Sequence, residues 1–314
     1  MSQGGAVPRP QEEMSRTQEL ARAELDLERF RPLLFSIAYR MVGEVGDAED
    51  IVQEAFLRAH RARTQGTEIE NPKAFLAEVT SRLAIDHLRS ARVRRERYVG
   101  PWLPEPLVSG TEPDVADRAE LQESLSMAFL IVLESLSPVE RAVFLLHDVF
   151  GFGFDEVTGV VGKNVDNCRQ IAVRARKHVE ARRPRFEVSP ERRMELATRF
   201  FAAADAGDID ELVELLAEDV EMVGDGGGRG ARRQPARGRL TVARFAAGLA
   251  RVAARRGLRM LPALVNGQPG AITYDVDGSV LSAMTLDIAE GRITAIRAVV
   301  NPEKLRHLQP LASD

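Results

Sequence analysis

Apolar residues at Phe30, Leu33, Leu34, Ile37, Ala38 and Met41 recur at the spacing of one buried helical face. The pattern predicts a helical region from about Leu20 that Gly43 and Gly46 break. A second helix follows with Ile51, Val52, Ala55, Phe56 and Ala59 inward, leaving Asp50, Gln53, Glu54 and Arg58 for solvent or a partner. Asp47 followed by Asp50 resembles a cap at its start. Asn71-Pro72 predicts the cap and first turn of a third helix. Its core side reads as Phe75, Val79, Leu83 and Leu88, and its far end becomes a basic run through Arg95.

Residues 99–113 carry four prolines and predict an irregular linker. The single tryptophan, Trp102, sits there beside Leu103 and Pro104, either packed on another domain or in a local core. A long helix follows with Leu121, Leu125, Ala128, Phe129, Val132, Leu133 and Leu136 inward. Ser137-Pro138-Val139-Glu140 then supplies an N-cap, a proline at N1 and a glutamate at N3. Phe154 to Val160 reads as a short helix, Val161-Gly162-Lys163 as a tight turn, and Asn164 as the cap of a helix burying Val165, Cys168, Ile171, Ala172 and Ala175.

Two short helices around a glycine turn match a helix-turn-helix reader; the bland alternative is the solvated face of a bundle helix. Asn167, Arg169 and Gln170 lie in its first two turns, and Arg and Gln have the donor sets to address guanine and adenine edges. Lys163, Arg174, Arg176 and Lys177 suit phosphate contacts.

After Pro184 the pattern changes. A helix at 190–206 offers Met194, Ala197, Phe200 and Phe201 as core, and another carries Leu212, Leu215 and Leu216. Strand-like runs follow near 219–223, 258–265, 270–276, 280–287 and 292–300, with a helix at 239–256, predicting an α+β domain around a curved antiparallel sheet.

Composition changes this picture little, but charge distribution does. The chain has 314 residues, enough for two or three domains, and a formal net charge of -4. Residues 80–98 hold six arginines against two acids, and 163–185 hold eight Lys/Arg against two, so both runs can neutralise phosphates. Residues 205–221 carry eight acids and no Lys/Arg, whereas 229–256 carry nine arginines and no acid. Lone Cys168 excludes an intramolecular disulfide, and the five scattered histidines predict no metal site. No cofactor is expected: glycines 226–228 lack nucleotide-binding spacing and read as a tight turn that another segment approaches closely. No signal or membrane-spanning run is legible, so the expectation is a cytoplasmic protein.

The segments LLFSIAYRMVGEVGDAEDIVQEAFLRAHR and IDHLRSARVRRERYVG resemble the promoter-melting, core-polymerase-binding domain of bacterial extracytoplasmic-function sigma factors. LESLSPVERAVFLLHDVFGFGFDEVTGVVGKNVDNCRQIAVRARKHV resembles their second domain, which reads the upstream promoter element. The remainder resembles the SnoaL-like, NTF2-like fold fused to one branch of that family, with WLPEP, DGGGR and NPEKL as signature segments. The implied architecture is multidomain: two all-α sigma domains, the second with the helix-turn-helix, then an α+β NTF2-like cone. Its expected bounds are a disordered lead at 1–18, region 2 at 19–98, the linker at 99–113, region 4 at 114–183, the SnoaL-like domain at 184–305 and a tail at 306–314.

The resemblance implies residue roles. Asp50, Gln53, Glu54 and Phe56 would dock on the clamp helices of the polymerase's largest subunit, with Phe56 alternatively buried in its own domain. The flap region and promoter DNA are the other implied partners. The loop from Arg63 to Glu70 would capture an unstacked base, and Asp86, His87, Arg89, Arg92 and Arg94 would face the minus 10 element. Lys163, Asp166, Asn167, Arg169, Gln170 and Arg174 would meet the minus 35 element. Trp102, Leu103 and Pro104, Asp225, Gly226, Gly227, Gly228 and Arg229, and Asn301, Pro302, Lys304 and Leu305 would form an interdomain clamp, regulating in cis without a separate anti-sigma factor. A monomer is expected before polymerase binding, with no catalytic residue. The competing reading is an NTF2-like ligand sensor or polyketide-cyclase-like enzyme tethered to DNA. Residues 186–305 contain no histidine, which weakens an acid/base dyad.

Overall fold

A computed structural model describes residues 27–96, 98–108, 125–181 and 188–311, with side chains of 91–96 outside the description. The expected lead, Arg92 and Arg94 as side chains, and the linker beyond Val108 therefore lie outside the described residues.

Helices α1 (Arg31–Val42), α2 (Val45–Thr64) and α3 (Pro72–Glu96) form the first module. Asn71 Oδ1 accepts from the Ala74 amide at 3.1 Å, satisfying one of the amides a helix start leaves open. Helices α3 and α2 differ from the expected pattern. The inward stripe of α3 is Leu76, Ala77, Thr80, Ser81, Ala84, Ile85 and Leu88, while Phe75, Val79 and Leu83 are half-buried. Small and hydroxylated residues occupy much of the buried stripe, so weighing residues by size rotates the predicted face by about one position. Helix α2 begins at Val45, not at an Asp47 cap, and Glu44 makes no side-chain cap. Its first amide, on buried Val45, donates instead to Glu105 Oε2 at 2.6 Å, a carboxylate supplied by the linker 60 positions away.

The second module comprises α4 (Met127–Glu134), α5 (Pro138–Phe144), a π-helical turn at Leu145–Val149, α6 (Phe154–Val161) and α7 (Val165–Glu180). Ser137 and Glu140 form a reciprocal capping box. Gly162 closes α6 at φ 65°, and the Asn164 side chain accepts from the Asn167 amide at 2.9 Å to start α7. Cys168, Ile171, Ala172, Ala175 and Val179 are buried along α7, whereas Val165 is half-buried.

The two helical modules share one continuous hydrophobic core. Helix α3 packs on α6: Arg82 donates to the Gly159 carbonyl oxygen, and a Cβ built on Gly159 would lie 3.0 Å from a Glu78 oxygen. Buried Arg141 of α5 donates to the Met41 carbonyl of α1.

The third module contains α8 (Pro190–Ala206), α9 (Ile209–Leu215), β1 (Leu216–Asp225), β2 (Ala236–Arg237), α10 (Arg239–Arg256), β3 (Arg259–Val265), β4 (Gln268–Tyr274), β5 (Val280–Ala289), β6 (Arg292–Val299) and a 3-10 turn at Pro302–Leu305. Strand order is β2-β1-β6-β5-β4-β3. The expected antiparallel sheet is mixed, because β1 pairs parallel with β6, the chain between them passing through β2, α10 and β3 to β5; alternation of residues carries no information about strand direction. Met194, expected in the core, is 42% exposed. The buried stripe of α8 runs through Leu196, Ala197, Phe200, Ala203 and Ala204, and its upstream continuation is Arg193, which donates to Gln268 at 2.9 Å.

The sheet is buried on both faces by different means. One face, with Met222, Leu286 and Ile296, is covered by α8, α9 and α10. The other, with Val223, Val265, Ala283 and Val299, is covered by Leu103 of the linker, Met127 of α4, and Leu305 and Leu308 of the C-terminal segment. Residues from the second and third modules and the linker thus meet on one sheet face.

Candidate functional site

The linker from Tyr98 to Val108 lies as a strap between the helical modules and the sheet. At its start stands Asp225, fully buried at the end of β1. Its Oδ1 accepts from the Tyr98 hydroxyl and from the Gly227 amide at 3.1 Å; its Oδ2 accepts from the Leu103 amide and from Lys304 Nζ, each at 2.8 Å. Lys304 also donates to the Leu103 carbonyl and lies 4.1 Å from the Trp102 ring centroid. Burial pulls the Lys304 ammonium below its ordinary pKa against the opposing pull of Asp225. Burial, then the hydrogen bond to Asp225, pushes the Tyr98 phenol well above its own.

The glycine turn permits these approaches. A Cβ on Gly226 would fall 1.7 Å from the Arg229 carbonyl oxygen, and one on Gly227 (φ 57°) would fall 2.7 Å from Asn301 Nδ2. Asn301 donates to the Tyr98 hydroxyl at 3.0 Å, and its backbone amide donates to the Asp225 carbonyl at 3.0 Å. Gly228 lies against Val99, Leu305 is buried, and Arg229 and Pro302 face solvent. Trp102 reaches the first module, where a Cβ on Gly43 would come within 2.8 Å of its ring, and Pro104 is buried beside it.

Further along, the strap meets residues that the sequence reading did not single out. Glu105 caps α2, and burial, more than the opposing Val45 hydrogen bond, raises its carboxyl above the usual range. The Tyr39 hydroxyl donates to the Glu105 carbonyl at 2.6 Å. Asn266, at the β3–β4 hairpin, adopts φ 52° and is fully buried. Its Nδ2 donates to the Tyr39 hydroxyl at 2.8 Å and the Leu125 carbonyl at 3.0 Å, while its Oδ1 accepts from the Leu107 amide at 3.1 Å. One side chain therefore ties both helical modules and the strap to the sheet. Asn266-Gly267 is a hairpin signature; that its tip is buried is the part no local signal carries. His307 Nε2 lies 2.7 Å from the Pro106 carbonyl oxygen.

Asp50 and Gln53 are exposed on α2, Glu54 pairs with Arg58 at 2.9 Å, and Phe56 is half-buried under Arg31. Gln53 and Glu49 line a groove of about 470 Å³ together with Leu107 and His307. Asp86 and Arg89 pair with each other at 3.2 Å, whereas His87 lies 3.0 Å from Asp47 within its own module. A second groove brings the 67–71 loop against Glu156 of α6.

Lys163, just before α7, and Asp166, Asn167, Arg169, Gln170 and, one turn further on, Arg174 are exposed. Arg169 pairs with Asp166 at 3.1 Å and lies 5.9 Å from the Phe154 ring centroid. An exposed pair of this kind contributes little to stability. Phe150 and Phe152 lie under Arg40 and Lys73 of the first module, at 5.5 and 5.1 Å. Burial raises the Cys168 thiol pKa. Among the described residues no acidic, histidine or cysteine group forms a metal cluster, and no helix is long and apolar enough to cross a membrane.

Two linked helical modules, one ending in an exposed helix-turn-helix, joined to an α+β domain, define a DNA-reading transcription protein with an added domain. Family models match the modules in turn: Sigma-70 region 2 at residues 27–94, Sigma-70 region 4 at 126–179 and a SnoaL-like domain at 197–300. The chain belongs to the ECF RNA polymerase sigma factors, with a fused SnoaL-like C-terminal domain. It is 41% identical over 294 residues to ECF RNA polymerase sigma factor SigJ of Mycobacterium tuberculosis, covering 89% of this chain and 92% of that one. It is 34% identical over 284 residues to the probable ECF sigma factor SigI of the same species, covering 89% and 93%. The crystal structure of Mycobacterium tuberculosis SigJ superposes with a TM-score of 0.69 at 38% identity, covering 90% of this chain and 97% of that one. The chain accordingly acts as a sigma factor, binding core RNA polymerase and recognising promoters, and the enzymatic reading gains no comparable support.

Proposed function

We propose that the SnoaL-like domain and the strap regulate this sigma factor in cis by holding regions 2 and 4 together until polymerase is engaged. The observation that carries the reading is the α3–α6 packing between the two DNA-reading modules. Promoter elements named minus 10 and minus 35 are centred about 25 base pairs apart, about 85 Å at 34 Å per turn. Modules in direct contact cannot read both, so promoter recognition requires them to part.

In the docked state the 67–71 loop faces α6, and the groove beside Gln53 is walled by Leu107 and His307. Asp50, Gln53, Glu54 and Phe56 form the surface for the clamp helices, and region 4 engages the flap region. Asp86, Arg89, Arg92 and Arg94 attend the minus 10 strand; His87 positions the helix through Asp47. Arg169 and Gln170 read the minus 35 duplex, flanked by Lys163, Asp166, Asn167 and Arg174. Because the covering element is part of the same chain, no separate anti-sigma factor is required, and the protein works as a monomer in the cytoplasm until polymerase binds.

Core-polymerase affinity of wild type and Asn266→Ala tests the restraint. The variant should bind at least severalfold more tightly while retaining helical content. Equal or weaker binding by a folded Asn266→Ala protein would contradict it.

A further inference from the structure

The sheet face covered by α8 and α10 contains a cavity of about 270 Å³ that the sigma-factor activity does not use. Phe200 and Phe201 of α8 line one side, and Leu249 and Val252 of α10 line another. Met222, Met260 and Met284 supply a soft, adaptable floor. Although they line a cavity, Leu249 and Val252 remain 44% and 50% exposed, leaving an apolar mouth open to solvent.

Three polar side chains interrupt this lining. Thr273 of β4 and Ser282 of β5 are direct cross-strand partners and share the face of Met284, two residues further along β5. Arg256, in the last turn of α10, lies at the rim, and no described carboxylate pairs with it. The lining includes no carboxylate or imidazole among the described residues, so the site offers one cation and two hydroxyls but no acid–base pair. It is built to hold a molecule, not to transform one.

The geometry points to a binding site for a small amphiphilic monoanion, a medium-chain carboxylate whose apolar body fills the cavity and whose carboxylate meets Arg256, with Thr273 and Ser282 as hydroxyl donors. Size sets the class. A dry apolar cavity of about 150 Å³ takes benzene, so this volume suits about ten to twelve non-hydrogen atoms. Charge sets the head group: an arginine fork pairs well with a carboxylate, and an uncharged alcohol of equal length lacks that charge-assisted bond.

The site is separate from the strap, which occupies the opposite sheet face, so the binding test does not depend on the regulatory reading. The probe is decanoate, with decanol as its uncharged counterpart, titrated calorimetrically into the full-length protein. Decanoate should bind saturably at one site per chain and about tenfold more tightly than decanol. Arg256→Gln, at a solvent-exposed position, should lower decanoate affinity to near that of decanol and leave decanol unchanged. Ala253→Phe, which fills the cavity from α10, should abolish both. No saturable decanoate binding to wild type, full binding to Ala253→Phe, or an undiminished preference for decanoate in Arg256→Gln would each overturn the proposal.

Discussion

The recognition helix α7 and the strap from Tyr98 to Val108 are specified in opposite ways. Helix α7 is marked by local signals: Asn164 caps it, Cys168, Ile171 and Ala172 face the core of the helical modules, and Arg169 and Gln170 remain on the other side. The strap has little regular structure, only an isolated bridge between Val108 and Val265, and takes its shape from Asp225, Asn266, Gly43 and His307 in other parts of the chain. Under the proposed regulation a reading element keeps its shape when the modules part, and a start signal carried by its own residues serves that. Under the same proposal the strap responds to polymerase, and contacts that can be lost together suit it.

This contrast predicts that strap substitutions change domain docking strongly and DNA reading little, and the reverse for α7. The largest effect is expected for Asp225→Ala, which strands buried Lys304 without its counterion and should cost about 3–5 kcal/mol. Chemical denaturation of the full chain should register that loss, and hydrogen exchange at the Val45 amide should accelerate as the strap releases. Asn266→Ala leaves the Leu107 amide and the Leu125 carbonyl unsatisfied, a cost of about 1–3 kcal/mol by the same measurement. If either variant left Val45 protection unchanged, the strap would not be held as described.

For α7, Arg169→Ala or Gln170→Ala should lose about 1–3 kcal/mol of preference between matched and scrambled minus 35 elements while stability changes by less than about 0.5 kcal/mol. Equal loss on both sequences would assign these side chains to phosphate contact. Asn164→Ala should cost about 1 kcal/mol through the lost cap. The smallest expected effect is a pH dependence. Because the Glu105 carboxyl is raised by burial, the docked state binds its proton more tightly than the released state. Docking should therefore weaken as pH rises from the ordinary carboxylate range through the raised value, and Glu105→Gln should flatten that slope.

The same contrast explains what the sequence makes legible. Ser137-Pro138-Val139-Glu140, the Gly162 turn and the Asn164 cap are local signals, and each forms as read. Helix α2 misleads because its cap, Glu105, comes from another segment. Helix α3 misleads because its buried stripe holds Ala77, Thr80, Ser81 and Ala84, while the larger Phe75, Val79 and Leu83 that attract attention are only half-buried. Trp102 and the glycine turn can be singled out by composition, and Gly227 does meet Asn301. Asn266 cannot: its dipeptide announces a hairpin, while its importance comes from Tyr39, Leu107 and Leu125, which only the assembled fold brings to it.

The central claim is that contact between regions 2 and 4 is incompatible with reading both promoter elements. Cysteines introduced by Glu78→Cys and Gly159→Cys, across the α3–α6 contact, can be joined by a short, reducible thiol crosslinker. Promoter-dependent transcription with purified core polymerase should be lost in the crosslinked protein and restored on reduction to the level of the uncrosslinked variant. Undiminished transcription by the crosslinked protein would contradict the account.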